Sequence, residues 1–172
     1  MSLYEINGKR PVIGEGCWIA PNASVIGDVQ IGRGCYIGFG AVIRGDFGLI
    51  AIGDGSIIED NVVIHAAQAT RIGKGVIVGH QAMVHDAEIG DNVLVGMQSL
   101  VGSRVVIGAD AIVAEQSHLR DGTTVDAGTI VAGRPAEPVK KATEAHRQAM
   151  AFGQAAYASL GGQYIRCPES GS

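Results

Sequence analysis

Three histidines, His65, His80 and His85, fall within a stretch otherwise dominated by glycine, valine and isoleucine. Neutral imidazole is the commonest protein ligand for zinc, and three imidazoles with a fourth position left open make a hydrating or hydrolytic metal site. The three are 15 and 5 residues apart. The repeat that carries them must decide which of them come together.

That repeat has a period of six. Ile13, Ile19, Val25, Ile31, Ile37 and Ile43 start the series, and Ile52, Ile58 and Ile64 resume it. Ile72, Val78 and Val84 follow, then Ile89, Val95, Val101, Ile107, Val113, Leu119, Val125 and Val131. Glycine often comes next, as at Gly14, Gly32, Gly73 and Gly96, and the fourth residue after an anchor is small or β-branched, as at Ala23, Ala41, Val76, Ala82 and Ser99. A hexad supplies one short strand and one corner, and it buries its apolar side only by stacking on the next coil. Three hexads make a triangular coil of 18 residues, which predicts between six and seven coils. Cys17 and Cys35 both occupy the fourth position, 18 apart, and are expected as core filling. The solenoid should occupy residues 1–135. The alanine-rich segment that follows predicts a C-terminal α-helix within 136–166, with Pro138 in its first turn and Gly161-Gly162 as its stop. Residues 167–172 read as a frayed tail.

The period slips after Ile43, Ile64 and Val84, which are three strands apart and therefore stack on one face. The residues after them, Arg44, His65 and His85, stack too, with strands ~4.8 Å apart. His65 and His85 can share a metal from adjacent coils. His80 follows Val78 on the preceding face and points away from that pair within one chain. A third ligand could come instead from a neighbouring chain around a threefold axis, placing the metal at a subunit interface. His118 and His146 lack this register and are expected to be ordinary surface histidines.

Composition narrows the remaining classes. A formal charge of -4 and the absence of any basic run longer than the pair Lys140-Lys141 offer no electrostatic footprint for nucleic acid. No 18-residue apolar run and no signal-peptide pattern occur, so a cytoplasmic protein without membrane association is expected. The three cysteines show no CxxC spacing and are expected as free thiols.

The segments VIRGDFG (42–48), DNVVIHA (60–66) and VGHQAMVH (78–85) together resemble the γ-class carbonic anhydrases and their relatives in phenylacetate and carnitine pathways. The resemblance covers about residues 10–165. It implies a left-handed parallel β-helix, a homotrimer, and sites for Zn²⁺ (Fe²⁺ or Co²⁺ in some members) held by His65 and His85 of one chain and His80 of the next. It further implies reversible hydration of CO₂ to bicarbonate, with water activated by the metal. Arg44 and Asp46 match the family's arginine and aspartate near the metal, where they would pair across the interface, with Asp60 as a further partner, and orient bicarbonate. Tyr157 matches a polar side chain sent to the site by the helix. Ile57-Ile58-Glu59 replaces the family's usual Asn-x-Gln; Glu59 then lies on the face of His80, as a proton acceptor or a further ligand. Phe47 stands where some members carry glutamate, and AAQATRIG (66–73) lacks the long acidic loop some use to export protons. The competing functions are metal-assisted hydrolysis of an acyl-CoA thioester, a hexapeptide acyltransferase, and a metal-binding trimer without catalysis.

Overall fold

The computed structural model describes residues 1–167. The chain winds as a parallel β-solenoid of about seven turns, left-handed, with one C-terminal helix. Each turn has three faces. The first face stacks Val25, Ile43, Ile64, Val84, Val101 and Leu119 in register. The second stacks Ile13, Ile31, Ile52, Ile72, Ile89, Ile107 and Val125. On the third, Ile19, Ile37, Ile58, Val78, Val95, Val113 and Val131 lie in line.

The six-residue beat has a direct physical origin. Every anchor from Val25 to Val131 is buried, and only Ile13 and Ile19, in the first coil, remain half-exposed. The fourth positions fill the corners of the same core: Ala23, Ala41, Val76, Ala82 and Cys35 are buried, and Cys17 packs partly against it. Where that position is serine the hydroxyl is bonded, as Ser56 Oγ to the Gly73 carbonyl (2.9 Å) and Ser99 Oγ to that of Ala114 (3.0 Å). Backbone amides bond from coil to coil, for example Val63 N–H to Ala82 O at 3.0 Å, which satisfies main-chain polar groups that the core would otherwise leave without partners.

The slips shape the corner between the first and second faces. After Ile43 the strand Val42–Ile52 runs through the corner without a break, and its extra residues bulge out as Gly45-Asp46-Phe47-Gly48. A Cβ at Gly45 would collide with the Asp28 carbonyl, and one at Gly48 with the Gln68 carbonyl. Only glycine at these two places lets the bulge lie flat on its neighbours.

The C-terminal segment departs from the expected helix start. Residues Ala136–Lys141 form a strand antiparallel to Thr129–Gly133, with Pro138 opposite Val131. The last coil of the third face would otherwise present an open strand edge, and the returning chain covers it; proline is tolerated because this is itself an edge strand. Helix α1 therefore begins later, at Glu144–Leu160, after the N-cap Thr143. His146 serves that cap by accepting the Thr143 N–H on Nδ1 at 3.1 Å. The helix runs back over the third face: Met150 packs on Ile112 and Ile130, and Tyr157 and Leu160 pack on Tyr36, Ile57 and Ile77. Trp18 stacks on Tyr36 and Tyr164 at the far end. Cys167 is exposed, and the rest of the expected tail, 168–172, lies outside the described residues.

Candidate functional site

The corner between the first and second faces gathers Arg44, His65 and His85 in consecutive coils, paired in register as expected. The two imidazoles lie 5.0 Å apart, centroid to centroid. Asp46 reaches back from the glycine-flanked bulge, its Oδ1 2.9 Å from His65 Nε2 and its other oxygen ion-paired with Arg44. Desolvation opposes ionisation of Asp46, but the bonds from His65 and Arg44 outweigh it and hold the carboxyl below its usual range. Arg44 and Asp46 pair within one chain, because residues two apart on an extended strand share a face. Phe47 stands exposed at the tip of the bulge, edge-on to His65 at 6.1 Å. His85 Nδ1 lies 3.1 Å from Ser103 Oγ and 3.3 Å from Asp86 Oδ2, which leaves Nε2 as its nitrogen for coordination.

The opposite edge of the first face, where it meets the third, holds Glu59, Asp60, His80 and Tyr157. The His80 amide donates to Glu59 Oε2 at 2.9 Å, and the same oxygen lies 3.2 Å from His80 Nε2. Tyr157, carried in by α1, places its hydroxyl 3.3 Å from His80 Nε2. Burial, and then the charge of Glu59, push the tyrosine hydroxyl above its ordinary range, so it stays protonated. Asp60 Oδ1 accepts the Phe39 amide at 2.7 Å, and Asp60 Oδ2 lies 3.6 Å from His80 Nδ1. Asp60 is thus on the His80 edge, away from Arg44. Beside His80 and Glu59 opens a cleft of about 600 Å³ whose wall includes Ile77, Leu94, Met97 and Ile112.

The seven residues singled out from sequence therefore divide between two edges: Arg44, Asp46, His65 and His85 on one, Glu59, His80 and Tyr157 on the other. Among the described residues of one chain, no three His, Cys, Asp or Glu side chains converge into a cation site. The donor chemistry nevertheless suits a borderline cation such as zinc: two imidazoles from adjacent strands, one of them backed at Nδ1 by a hydroxyl and a carboxylate. A single chain thus offers two imidazoles of a three-histidine set at one edge and the third at the other. Sequence reasoning missed Ser103 and Asp86. Asp86 lies in the shortened five-residue interval after Val84, a visible irregularity that marks it in retrospect. It also missed the outward column Val63, Met83 and Leu100 on the first face, all partly exposed, because anchors were sought only for the interior.

Comparison with known proteins places this architecture. Residues 10–45 and 69–103 match the bacterial transferase hexapeptide (six repeats), and 28–66 and 100–132 match the hexapeptide repeat of succinyl-transferase. The carnitine operon protein CaiE of Escherichia coli K12 is 35% identical over 146 residues, covering 84% of this chain and 74% of CaiE. The chain belongs to the hexapeptide-repeat family. Within that family it is also similar to γ carbonic anhydrase 2, mitochondrial, of Arabidopsis thaliana, with 37% identity over 151 residues. That match covers 83% of this chain and 54% of the plant protein, so the chain spans about half the length of these relatives. Among solved structures, a hexapeptide transferase family protein from Anaplasma phagocytophilum superposes with a TM-score of 0.91 at 36% identity, covering 95% of this chain and 98% of that one. A putative acetyltransferase from Bacillus cereus gives a TM-score of 0.92 at 30% identity, with coverages of 95% and 96%. Among the described residues no helix is long and apolar enough to cross a membrane.

Proposed function

We propose that this chain is a γ-type carbonic anhydrase, a homotrimer that hydrates CO₂ to bicarbonate reversibly at zinc sites shared between neighbouring chains. The observation that carries the reading is the placement of His65 and His85 in register on one edge of the first face and of His80 on its other edge. The face between them bears the partly exposed column Val63, Met83 and Leu100. Packing that face against another copy covers the column and sets one chain's His80 against the next chain's His65 and His85. The similarity to γ carbonic anhydrases supports the same reading.

Zinc held by three neutral imidazoles, with a fourth position open, lowers the pKa of a bound water to about 7; Fe²⁺ or Co²⁺ would suit the same donors. The chain's own residues do the rest. Arg44 supplies the positive charge beside His65 that orients a bicarbonate oxygen, and Asp46 holds that guanidinium in place. Glu59 steadies His80 through its amide and accepts the proton released in each cycle, while Tyr157, kept protonated, donates from its hydroxyl toward the reacting oxygen. A cytosolic location belongs to the same proposal and suits the free Cys17, Cys35 and Cys167.

The apolar cleft beside His80 favours a second reading, hydrolysis of an acyl-CoA thioester whose acyl group lies along Ile77, Leu94 and Met97. Turnover of short-chain acyl-CoA thioesters without CO₂ hydration would select it.

Shared ligation makes a specific prediction. His80→Ala should lower metal content as severely as His65→Ala, measured by metal analysis of purified trimer. Retention of one metal per chain in His80→Ala would remove His80 from the ligand set.

A further inference from the structure

The corner after His85 turns on a residue in the left-handed backbone region. Asp86 has φ +47°, the left-handed region that glycine occupies without strain. The structure uses its carboxylate fully. Asp86 Oδ1 accepts two amides of the coil beneath, Ala67 N–H and Gln68 N–H, both at 2.8 Å. Its other oxygen, Oδ2, lies 3.3 Å from His85 Nδ1. Ala67 and Gln68 belong to the corner that follows His65, so one side chain touches both the turn that places His65 and the ring of His85. The Asp86 side chain is only 11% exposed, so water competes weakly for these bonds.

The structure assigns Asp86 the role of a positioning residue that holds His85 as the Nδ1–H tautomer, with Nε2 bare for a cation. An ionised carboxylate only accepts hydrogen bonds. With Oδ1 committed to two amides, the charge of Oδ2 beside Nδ1 favours a proton there, and Ser103 Oγ at 3.1 Å accepts it in a hydrogen bond. The neutral ring then carries its lone pair on Nε2. Outer-shell partners of this kind typically change metal affinity by about 10–100-fold. The inference rests on the reading of His85 as a ligand.

The test is ¹⁵N NMR of histidine-labelled, metal-free, full-length protein at a pH where the ring is neutral, together with Zn²⁺ affinity by chelator competition. Wild type should show a pyrrole-like Nδ1 and a pyridine-like Nε2 at His85. In Asp86→Asn the amide oxygen keeps the two backbone bonds while its NH₂ faces Nδ1, so the tautomer should invert and Zn²⁺ should bind about 10–100-fold more weakly. Asp86→Gly, which suits φ +47° and preserves the fold, should give a mixture of tautomers and an intermediate loss. A wild-type ring protonated on Nε2, or variants with unchanged tautomer and affinity, would overturn the assignment. A wild-type ring protonated on Nδ1 in a protein without Zn²⁺ affinity would uphold the tautomer and refute the metal reading instead.

Discussion

At the scale of single residues, the site is set by which side chains the corners admit. Glu59 is buried to 8% exposure and is bonded to His80 through an amide that glutamine could equally satisfy. Glu59→Gln should therefore keep metal content and lower kcat by about a hundredfold, as loss of a proton acceptor does, with partial recovery in concentrated buffer. An unchanged rate would reduce Glu59 to a structural role. Cys35 offers a contrast. Burial pushes its thiol up to about 12, so it remains protonated and inert at neutral pH while the exposed Cys167 reacts. A raised folded-state pKa gives a contribution to stability that is intact below the unfolded value, near 9, and is lost as pH climbs towards 12. Alkylation followed by mass spectrometry should label Cys167 in the native protein and Cys35 only after unfolding; early labelling of Cys35 would show that the first coils open.

At the scale of elements, the three faces have three different fates. Helix α1 covers the third, the second carries exposed Arg71 and Glu88 beside Val106, and the first exposes Val63, Met83 and Leu100. Met83→Glu would bury an unpaired charge at each contact in a trimer, at a cost of roughly 3–5 kcal/mol per interface. Light scattering should then report a monomer that has lost its metal, and a surviving trimer would mean that another face carries the association. The solenoid itself was legible in the sequence because its core depends on one side chain per hexad, and the register of Arg44, His65 and His85 followed from counting anchors. The strand Ala136–Lys141 was not, since alanine and lysine favour helix locally and only the open edge of Thr129–Gly133 draws the segment into a sheet. The contact between Arg44 and Asp46 within one chain was harder to read, because the break in the beat after Ile43 suggests a corner where the chain runs on as the strand Val42–Ile52 and puts residues two apart on one face.

At the scale of the whole molecule, a rigid stack of coils acts as a ruler. It holds His65 and His85 one rung apart and sets His80 at the far edge of the same face, so that the proposed ring of three would bring the two edges of neighbouring chains together. The apolar cleft beside His80 is the feature that would favour the proposed thioester hydrolysis over CO₂ hydration. The measurement that decides the central claim is CO₂ hydration by stopped-flow with a pH indicator, on protein of known metal content loaded anaerobically with Zn²⁺, Co²⁺ or Fe²⁺. The account predicts metal-dependent hydration that disappears in His85→Ala. Absence of hydration at full metal occupancy would contradict it.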